Sequence, residues 1–283
     1  MRQTANVNAR SALFDVYGDH LLDRGGSAPV AALVKILAPL SVAAPAVRTA
    51  ISRMVRQGWL DPVRLPDGPG YRLTPRAEHR LADAAARIYR RGILAWDGRW
   101  HLLVVDHIAN RAARERLRTS LGYLGYAPLR DGTWIGPRAS DEVDVLLAAE
   151  SVAARQFHAD HDGDQATLTA EAWDLAALAA AYEDWVDEAR TLVDGLAEDA
   201  TDEAAFVARS NLVHEWRKFL FRDPGLPAAV LPRAWPGHDA ARFFDTWAAR
   251  LLPGARRYVD GCLGLPDGPR SSQAGSIRRV LVP

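Results

Sequence analysis

Residues 44–57 place three arginines and two hydroxyl side chains on one face of a predicted helix. On a helical wheel the opposite face is apolar, and the polar face carries Arg48, Thr49, Ser52, Arg53 and Arg56. Guanidinium and hydroxyl groups donate hydrogen bonds to phosphate oxygens and to base edges in the major groove of DNA. Because this face holds no carboxylate, we predict that the helix contacts DNA.

The segments before this helix fit the same interpretation. Residues 29–38 (PVAALVKILA) have the pattern of a short apolar helix, and residues 39–43 interrupt the pattern before the arginine-bearing helix begins. Two helices separated by a short break are typical of a helix-turn-helix.

A hairpin is predicted directly after the second helix. Residues 59–65 and 71–74 resemble strands, and residues 66–70 (PDGPG) supply the glycines and prolines of a turn. We expect Arg64 and Arg72 to flank the tip of the hairpin and to contact the phosphate backbone. The segments together predict a winged helix-turn-helix; the alternative is a basic helical surface beside a chance hairpin.

Composition limits the other possibilities. The chain has 283 residues, of which 48% are hydrophobic, and a chain of this size holds about two or three domains. Its one cysteine, Cys262, excludes an intramolecular disulfide framework and a cysteine-based zinc finger. The first residues lack the apolar core of a signal peptide, and no apolar run is long enough for a membrane helix. We expect a soluble, cytoplasmic protein with no membrane partner.

The formal net charge of zero conceals a separation of charge along the chain. Residues 1–99 hold 15 Lys and Arg against 8 Asp and Glu, whereas residues 141–203 hold 2 against 18. A basic segment beside an acidic one favours docking on DNA in one orientation, because phosphates repel the acidic part. Chance scatter of charge is the alternative.

The middle of the chain predicts an α+β module. Its elements follow the order strand, helix, strand, strand, helix, strand, at residues 100–105, 111–124, 127–130, 133–136, 141–150 and 152–158. This order is that of a ferredoxin-like fold. Further helices are predicted at residues 8–22, 75–91, 170–198, 202–221 and 238–258.

We therefore predict a multidomain α+β protein with successive segments. Residues 8–92 form the winged helix-turn-helix, residues 93–165 the ferredoxin-like module and residues 166–265 a helical C-terminal domain. Residues 266–283 are rich in Gly, Ser, Pro and Arg and are expected to be a disordered tail.

Several strings resemble the PaaX family of phenylacetic-acid-degradation transcriptional repressors. The matching segments run in order along the chain: FDVYGD (14–19) with RGG (24–26), VRTAISRMV (47–55) with GWL (58–60), YRLT (71–74), WDGRW (96–100), HEWRKF (214–219) and DPGLP (223–227). The resemblance implies an N-terminal winged helix, a middle domain similar to the Cas2 fold and a helical C-terminal domain. It also implies dimers that repress aromatic catabolic operons until an aryl-CoA thioester, such as phenylacetyl-CoA, releases them from DNA.

A second cluster is a candidate effector site. Cationic and aromatic side chains alternate on one predicted helix, at His214, Trp216, Arg217, Lys218, Phe221 and Arg222. Arginine and lysine would meet the phosphates of a coenzyme A thioester, and the aromatic rings would line an acyl pocket. The alternative is that Trp216 belongs to an ordinary helical core.

Two further groups suggest metal chemistry. Asp106-His107 follows the first strand of the ferredoxin-like module, where Cas2-type nucleases place a metal-binding aspartate. Residues 158–164 (HADHDGD) offer two imidazoles and three carboxylates, which are ligands for a divalent cation. A polar strand end and a solvated acidic loop are the respective alternatives, and we expect neither group to hold a metal.

No string matches a nucleophile elbow, a Walker loop or a dinucleotide-binding fingerprint. We therefore expect a DNA-binding regulator without enzymatic activity or cofactor, acting as a dimeric repressor on an inverted-repeat operator and released by an aryl-CoA effector. The alternatives are a metal-dependent nuclease built on the Cas2-like module and a DNA-architectural protein with no effector.

Overall fold

The computed structural model describes residues 8–90, 95–130, 132–196 and 200–265. These residues divide into two compact units. One comprises the described parts of Met1–Ala77, Asp199–Val207 and Leu251–Pro283, and the other those of Glu78–Glu198 and Ala208–Arg250. The predicted tail at residues 266–283 lies outside the described residues.

Three helices open the first unit. They are α1 (Ala9–Val16), α2 (Val30–Leu37) and α3 (Ala44–Arg56). Asn8 caps α1 by accepting a hydrogen bond from the backbone N–H of Arg10 at 3.0 Å. After α1 the chain makes a π-helical turn and a 3-10 turn, and Gly25 and Gly26 then take positive φ values of 81° and 64° and end the helical stretch.

A three-stranded antiparallel sheet completes this part of the unit. Its strands are β1 (Ser27–Pro29), β2 (Leu60–Leu65) and β3 (Gly68–Leu73), and β3 lies in the centre. Leu65 pairs with Gly68, so the hairpin turn contains two residues, and the predicted turn at 66–70 was too long. Gly70 of β3 leaves room for the backbone of β1, because a Cβ at position 70 would stand 2.7 Å from the carbonyl oxygen of Ala28.

Segments from the C-terminal half pack into the same unit. The Arg24 guanidinium donates to the Asp260 carboxylate at 2.8 Å, and the Tyr258 hydroxyl donates to the backbone carbonyl of Lys35 at 3.0 Å. The rings of His20 and Phe206 lie 5.6 Å apart. Residues 8–77 are therefore only part of this compact unit.

Helix α4 (Pro75–Ile88) follows the hairpin after a single residue. Thr74 caps it, because its hydroxyl accepts a hydrogen bond from the backbone N–H of Ala77 at 3.2 Å. The same hydroxyl donates to the carbonyl of Gly58 at 2.9 Å. Pro75 stands at the first position of the helix, where the missing N–H would have no partner within the helix.

The second unit contains a four-stranded antiparallel sheet with two helices. In chain order the elements are β4 (Trp100–Val105), α5 (Arg111–Tyr123), β5 (Ala127–Pro128), β6 (Thr133–Gly136), α6 (Glu142–Ala149) and β7 (Ala154–Ala159). The strand order β5-β6-β4-β7 is that of the ferredoxin-like unit, as the sequence predicts.

Side chains are buried on both faces of the sheet. On one face Leu103 and Val105 pack against Leu117, Leu121 and Val143 of the two helices. His101 also lies in the interior, where its Nδ1 is 2.6 Å from the Tyr126 hydroxyl. Burial and the neighbouring His158 lower the pKa of His101.

The other helices are α7 (Gln165–Ala172), α8 (Leu175–Asp194), α9 (Asp202–Trp216) and α10 (Pro236–Leu263). The single helix predicted at 170–198 was wrong, because Trp173 has extended backbone angles and Asp174 caps a new helix at the backbone N–H of Ala177. In the described part of the chain, no helix is both long enough and apolar enough to cross a membrane.

Candidate functional site

The predicted polar face of α3 lies on the surface. Arg48, Thr49, Ser52, Arg53 and Arg56 are exposed, whereas the residues of the opposite face are buried: Val47, Ala50, Ile51 and Met54. Among the described residues, no carboxylate forms an ion pair with the three arginines of this face. The Thr49 hydroxyl donates to the carbonyl of Pro45 at 2.9 Å, so its oxygen can still accept a hydrogen bond. The face can therefore donate hydrogen bonds to an anionic partner.

A groove runs beside this face, between α3 and the start of α1. Its volume is about 870 Å³, and its polar lining includes Asn8, Arg10, Ser41, Thr49, Arg53 and Gln57, with no carboxylate among the described residues that line it. The Arg10 guanidinium lies 5.5 Å from the centre of the Phe14 ring. Sequence reasoning missed Arg10 because it lies far from α3 in the chain.

The hairpin places its two predicted arginines differently. Arg64 pairs with Pro69, next to the tip, whereas Arg72 pairs with Asp61 and Ser27, near the base. Because side chains alternate along a strand, Arg64 and Arg72 lie on opposite faces of the sheet. The expectation that both flank the tip was wrong; the shorter turn extends β3 and moves Arg72 away from it.

The second unit contains a cavity of about 570 Å³. An aromatic group forms part of its wall: Tyr182, Trp216, Phe219 and Trp235. The rings of Tyr182 and Phe219 stack 4.1 Å apart at 11°. A volume of this size with an apolar lining and a few polar groups is typical of a small-molecule site.

The described lining residues of the same cavity include three arginines: Arg87 in α4, Arg90 just after that helix, and Arg138 after β6. Arg87 donates to the carbonyls of Tyr123 and Leu220 at 3.2 and 3.0 Å. Arg90 lies with its guanidinium 5.5 Å from the Trp216 ring, and Arg138 donates to the carbonyl of Gly225 at 3.2 Å. Arg90 also donates to the carbonyls of Ile88 and Ala241 at 3.4 and 3.5 Å. Backbone carbonyls thus orient all three guanidinium groups, and the cavity wall presents several fixed positive charges.

Arg90 also has an unusual backbone. Its φ is 49°, a left-handed conformation that is strained for a residue with a Cβ. The side chain is held by a hydrogen bond to Asp245 and by the Trp216 ring. Strain of this kind is found at functional sites more often than elsewhere.

Both carboxylates among the described lining residues have partners. The Tyr182 hydroxyl donates to Asp223 at 2.5 Å, and the other oxygen of Asp223 accepts from the N–H of Gly225 at 2.8 Å. Glu142 pairs with Arg80 at 3.3 Å. Burial and the Asp223 charge raise the pKa of Tyr182, so this hydroxyl stays a hydrogen-bond donor at neutral pH.

The structure does not bring the predicted effector residues together. Trp216 lines the cavity, but His214, Arg217, Lys218, Phe221 and Arg222 are not among the described lining residues. Lys218 pairs with Glu215 at 2.5 Å, and Phe221 is 68% exposed. Helix α9 ends at Trp216 and a 3-10 turn spans Arg217–Phe221, so the predicted helical face does not continue past Trp216. Trp216 packs in the core as the alternative supposed: it is 5% exposed and stacks on Phe244.

The metal candidates are also dispersed. Asp164 caps α7 at the backbone N–H of Thr167, and Asp160 faces Arg99 at 3.8 Å. Asp106 faces Arg155 at 3.9 Å. Within the part of the chain that the structure describes, no three His, Cys, Asp or Glu side chains are grouped so as to hold a metal ion.

Comparison with known proteins identifies the class. Three family models match successive segments of this chain: PaaX-like protein at residues 8–77, the PaaX protein central Cas2-like domain at 94–170, and the PaaX-like protein C-terminal domain at 173–261. The chain belongs to the PaaX family, as its sequence motifs predict.

Two relatives show how far the similarity extends. The chain is 30% identical over 264 residues to the transcriptional repressor PaaX of Escherichia coli (strain K12), covering 89% of this chain and 83% of that protein. A solved structure, the uncharacterized protein Rv0674 from Mycobacterium tuberculosis, is 28% identical with a TM-score of 0.58, over 90% of this chain and 98% of its own. The similarity therefore spans all three matched segments.

Proposed function

We propose that this chain is a transcriptional repressor that binds operator DNA through a winged helix-turn-helix. The observation that carries the proposal is the exposed arginine face of α3, free of carboxylates, in a chain whose E. coli relative is named as a repressor. Helices α2 and α3 form the helix-turn-helix, and the hairpin of β2 and β3 forms the wing.

The residues of α3 and of the hairpin then take different roles. Arg48, Thr49, Ser52, Arg53 and Arg56 face the major groove, where a bidentate arginine–guanine pair contributes about 1–3 kcal/mol of discrimination. Arg64, beside the hairpin tip, contacts phosphates, and Arg72 contacts the backbone only if the base of the hairpin also approaches DNA.

A single winged helix reads too few base pairs to select one operon. The active form is therefore a homodimer on an inverted repeat, with half-sites about 10 base pairs or a multiple apart. Such a repressor acts in the cytoplasm, where the operator is. The proposal keeps the predicted domain boundaries at residues 92 and 165. The helices after residue 165 contribute residues to both compact units.

The effector in this proposal is an aryl-CoA thioester bound in the 570 Å³ cavity. The aromatic wall suits an aryl group, and Arg87, Arg90 and Arg138 suit the phosphates of coenzyme A. We assign the phosphates to these arginines rather than to Arg217, Lys218 and Arg222, because the latter lie outside the cavity lining. Release from DNA then requires the effector to favour the form that does not bind the operator.

Fluorescence anisotropy on a labelled promoter duplex tests the proposal. We expect tight binding that Arg48→Ala or Arg53→Ala weakens by about 1–3 kcal/mol, and dissociation when phenylacetyl-CoA is added. Wild-type affinity in both arginine variants would overturn the recognition-helix assignment. Cleavage of the duplex would favour the nuclease alternative, and binding indifferent to sequence and ligand would favour an architectural protein.

The cavity assignment has its own control. Arg138→Ala should weaken phenylacetyl-CoA binding in a calorimetric titration, whereas Lys218→Ala, outside the cavity lining, should not. The Lys218 ion pair with Glu215 is partly exposed, so losing it changes stability by less than about 1 kcal/mol. Equal affinity in both variants would remove the ligand from this cavity.

A further inference from the structure

An aromatic side chain is exposed beside the cavity of the second unit. Phe221 lies in the 3-10 turn after α9 and is 68% exposed, and its ring centre is 5.3 Å from that of Tyr123, the last residue of α5. The chain neighbours of these two residues, Leu220 and Leu124, line the cavity. The exposed ring therefore stands at the border of the cavity, within the same compact unit.

Arg87 connects the cavity lining with this aromatic pair. Its guanidinium carbon lies 4.5 Å from the centre of the Tyr123 ring, and its Nη2 donates to the carbonyls of Tyr123 and Leu220. Because both hydrogen bonds use Nη2, the Nη1 and Nε groups of Arg87 can donate to an anion. Arg87 also belongs to the cavity lining. An anion bound here lies between the cavity and the exposed ring.

A second arginine lies near the same tyrosine. The Arg80 guanidinium is 5.9 Å from the centre of the Tyr123 ring and pairs with Glu142 of the cavity lining at 3.3 Å. Proteins stack nucleobases on aromatic side chains and place basic side chains beside them for the phosphates. The combination of an exposed ring and neighbouring guanidinium groups therefore fits a nucleotide better than a purely apolar ligand.

We propose that Phe221 and Tyr123 form a stacking platform for a purine base, with Arg87 holding the phosphate next to it. For an aryl-CoA effector the base is adenine. The cavity of about 570 Å³ suits a drug-sized ligand, and a coenzyme A thioester is larger, so part of it lies outside. The inference rests on the proposed effector and supplies a site for the nucleotide part. Phe221 then contacts the base instead of the acyl group.

Calorimetric titration of the full chain with two thioesters tests the platform. Phenylacetyl-CoA carries the adenine base, whereas S-phenylacetyl-4′-phosphopantetheine keeps the aryl group and one phosphate but lacks the base. Phe221→Ala should weaken the binding of phenylacetyl-CoA by about 5- to 150-fold, the range for losing one stacked base. The same variant should change the binding of the phosphopantetheine thioester by less than about twofold, because no base is present to stack.

Two further variants separate stacking from the loss of an apolar side chain. Phe221→Trp keeps a planar ring and should bind phenylacetyl-CoA at least as tightly as the wild type, whereas Phe221→Leu should bind it as weakly as Phe221→Ala. Phe157→Ala is the matched control. Phe157 is 49% exposed in the same unit but lies on β7, which contributes no residue to the described cavity lining. This control should bind both thioesters like the wild type.

The outcomes separate the platform from the proposed effector. Equal losses for the two thioesters in Phe221→Ala, or no loss for either, would overturn the platform and leave the cavity assignment to the Arg138→Ala test. A Phe221→Ala chain that sediments differently but keeps its affinity for phenylacetyl-CoA would assign the ring to a contact between proteins and would also overturn it. A wild-type chain that binds neither thioester loses both proposals.

Discussion

Arg10 gives the sharpest test of the groove beside α3. It lies at the second position of α1, lines the groove together with Arg53, and was not predicted from the sequence. If a backbone phosphate lies in the groove, Arg10→Ala removes one charge contact and leaves the cap at Asn8 in place, because that cap uses the backbone of residue 10.

The size of the effect follows from counterion release. Each phosphate contact contributes about 0.9 to the slope of log affinity against log salt. Over the tenfold range from 1 M to 0.1 M salt, a variant that has lost one contact therefore gains about eightfold less affinity than the wild type. This difference corresponds to roughly 1.2 kcal/mol. The loss should be the same on operator and on a shuffled duplex, because a phosphate contact carries no sequence information.

The assay is anisotropy on both duplexes over a salt series from about 50 to about 200 mM. Arg111→Ala is the matched control, since it removes an exposed arginine at the start of another helix, outside the groove. The contact with Phe14 is worth only about 0.5–1 kcal/mol at an exposed site, so the variant should stay folded. An unchanged slope in Arg10→Ala, or an equal change in the control, would refute the reasoning.

Three other outcomes are expected. Gly70→Ala should lower the free energy of unfolding by about 1–3 kcal/mol and weaken operator binding, because the new Cβ meets the carbonyl of Ala28. Gly122→Ala is the control, because a Cβ there meets no other atom, and it should leave the free energy of unfolding unchanged. Chemical denaturation measures this free energy for both variants. Because the pKa of His101 is lowered in the folded protein, unfolding at acidic pH takes up a proton. The contribution of His101 to stability is therefore full above the usual histidine pKa of 6.5 and is lost as the pH falls through the lower pKa of the folded state. His101→Leu should flatten this part of the curve of melting temperature against pH, and an unchanged slope would contradict the prediction. Arg90→Gly should relieve the backbone strain at this position and keep or raise the melting temperature. The same variant should bind phenylacetyl-CoA more weakly, and unchanged binding would argue against a role for Arg90 in the ligand site.

The features that could be predicted from the sequence are those set by the local spacing of apolar residues. The face of α3 and the order of elements in the ferredoxin-like module both follow from the spacing of apolar residues over a few turns or strands. The helix predicted at residues 75–91 is observed at Pro75–Ile88. The signal for each separate helix or strand lies within about 15 residues of chain.

Contacts between segments that lie far apart in the chain could not be predicted from the sequence. Strand β1 has three residues and exists because it pairs with Gly70–Arg72. The cavity takes Arg87 from α4, Arg138 from the segment after β6 and Tyr182 from α8, and no spacing rule connects them. The single helix predicted to carry the effector residues was wrong for a local reason, since a change from α-helix to 3-10 turn after Trp216 shifts every later side chain around the axis.

The assembly of the first unit from both ends of the chain affects how the protein is made. Tyr258 and Lys35, which bond to each other, are 223 residues apart. A ribosome adding about 5–20 residues per second needs about 10–45 s to synthesise the chain between them. During that time Lys35 and Arg24 lack their partners Tyr258 and Asp260, so a prematurely terminated chain would present the first unit incomplete. Completion of the first unit therefore depends on translation reaching the last helix.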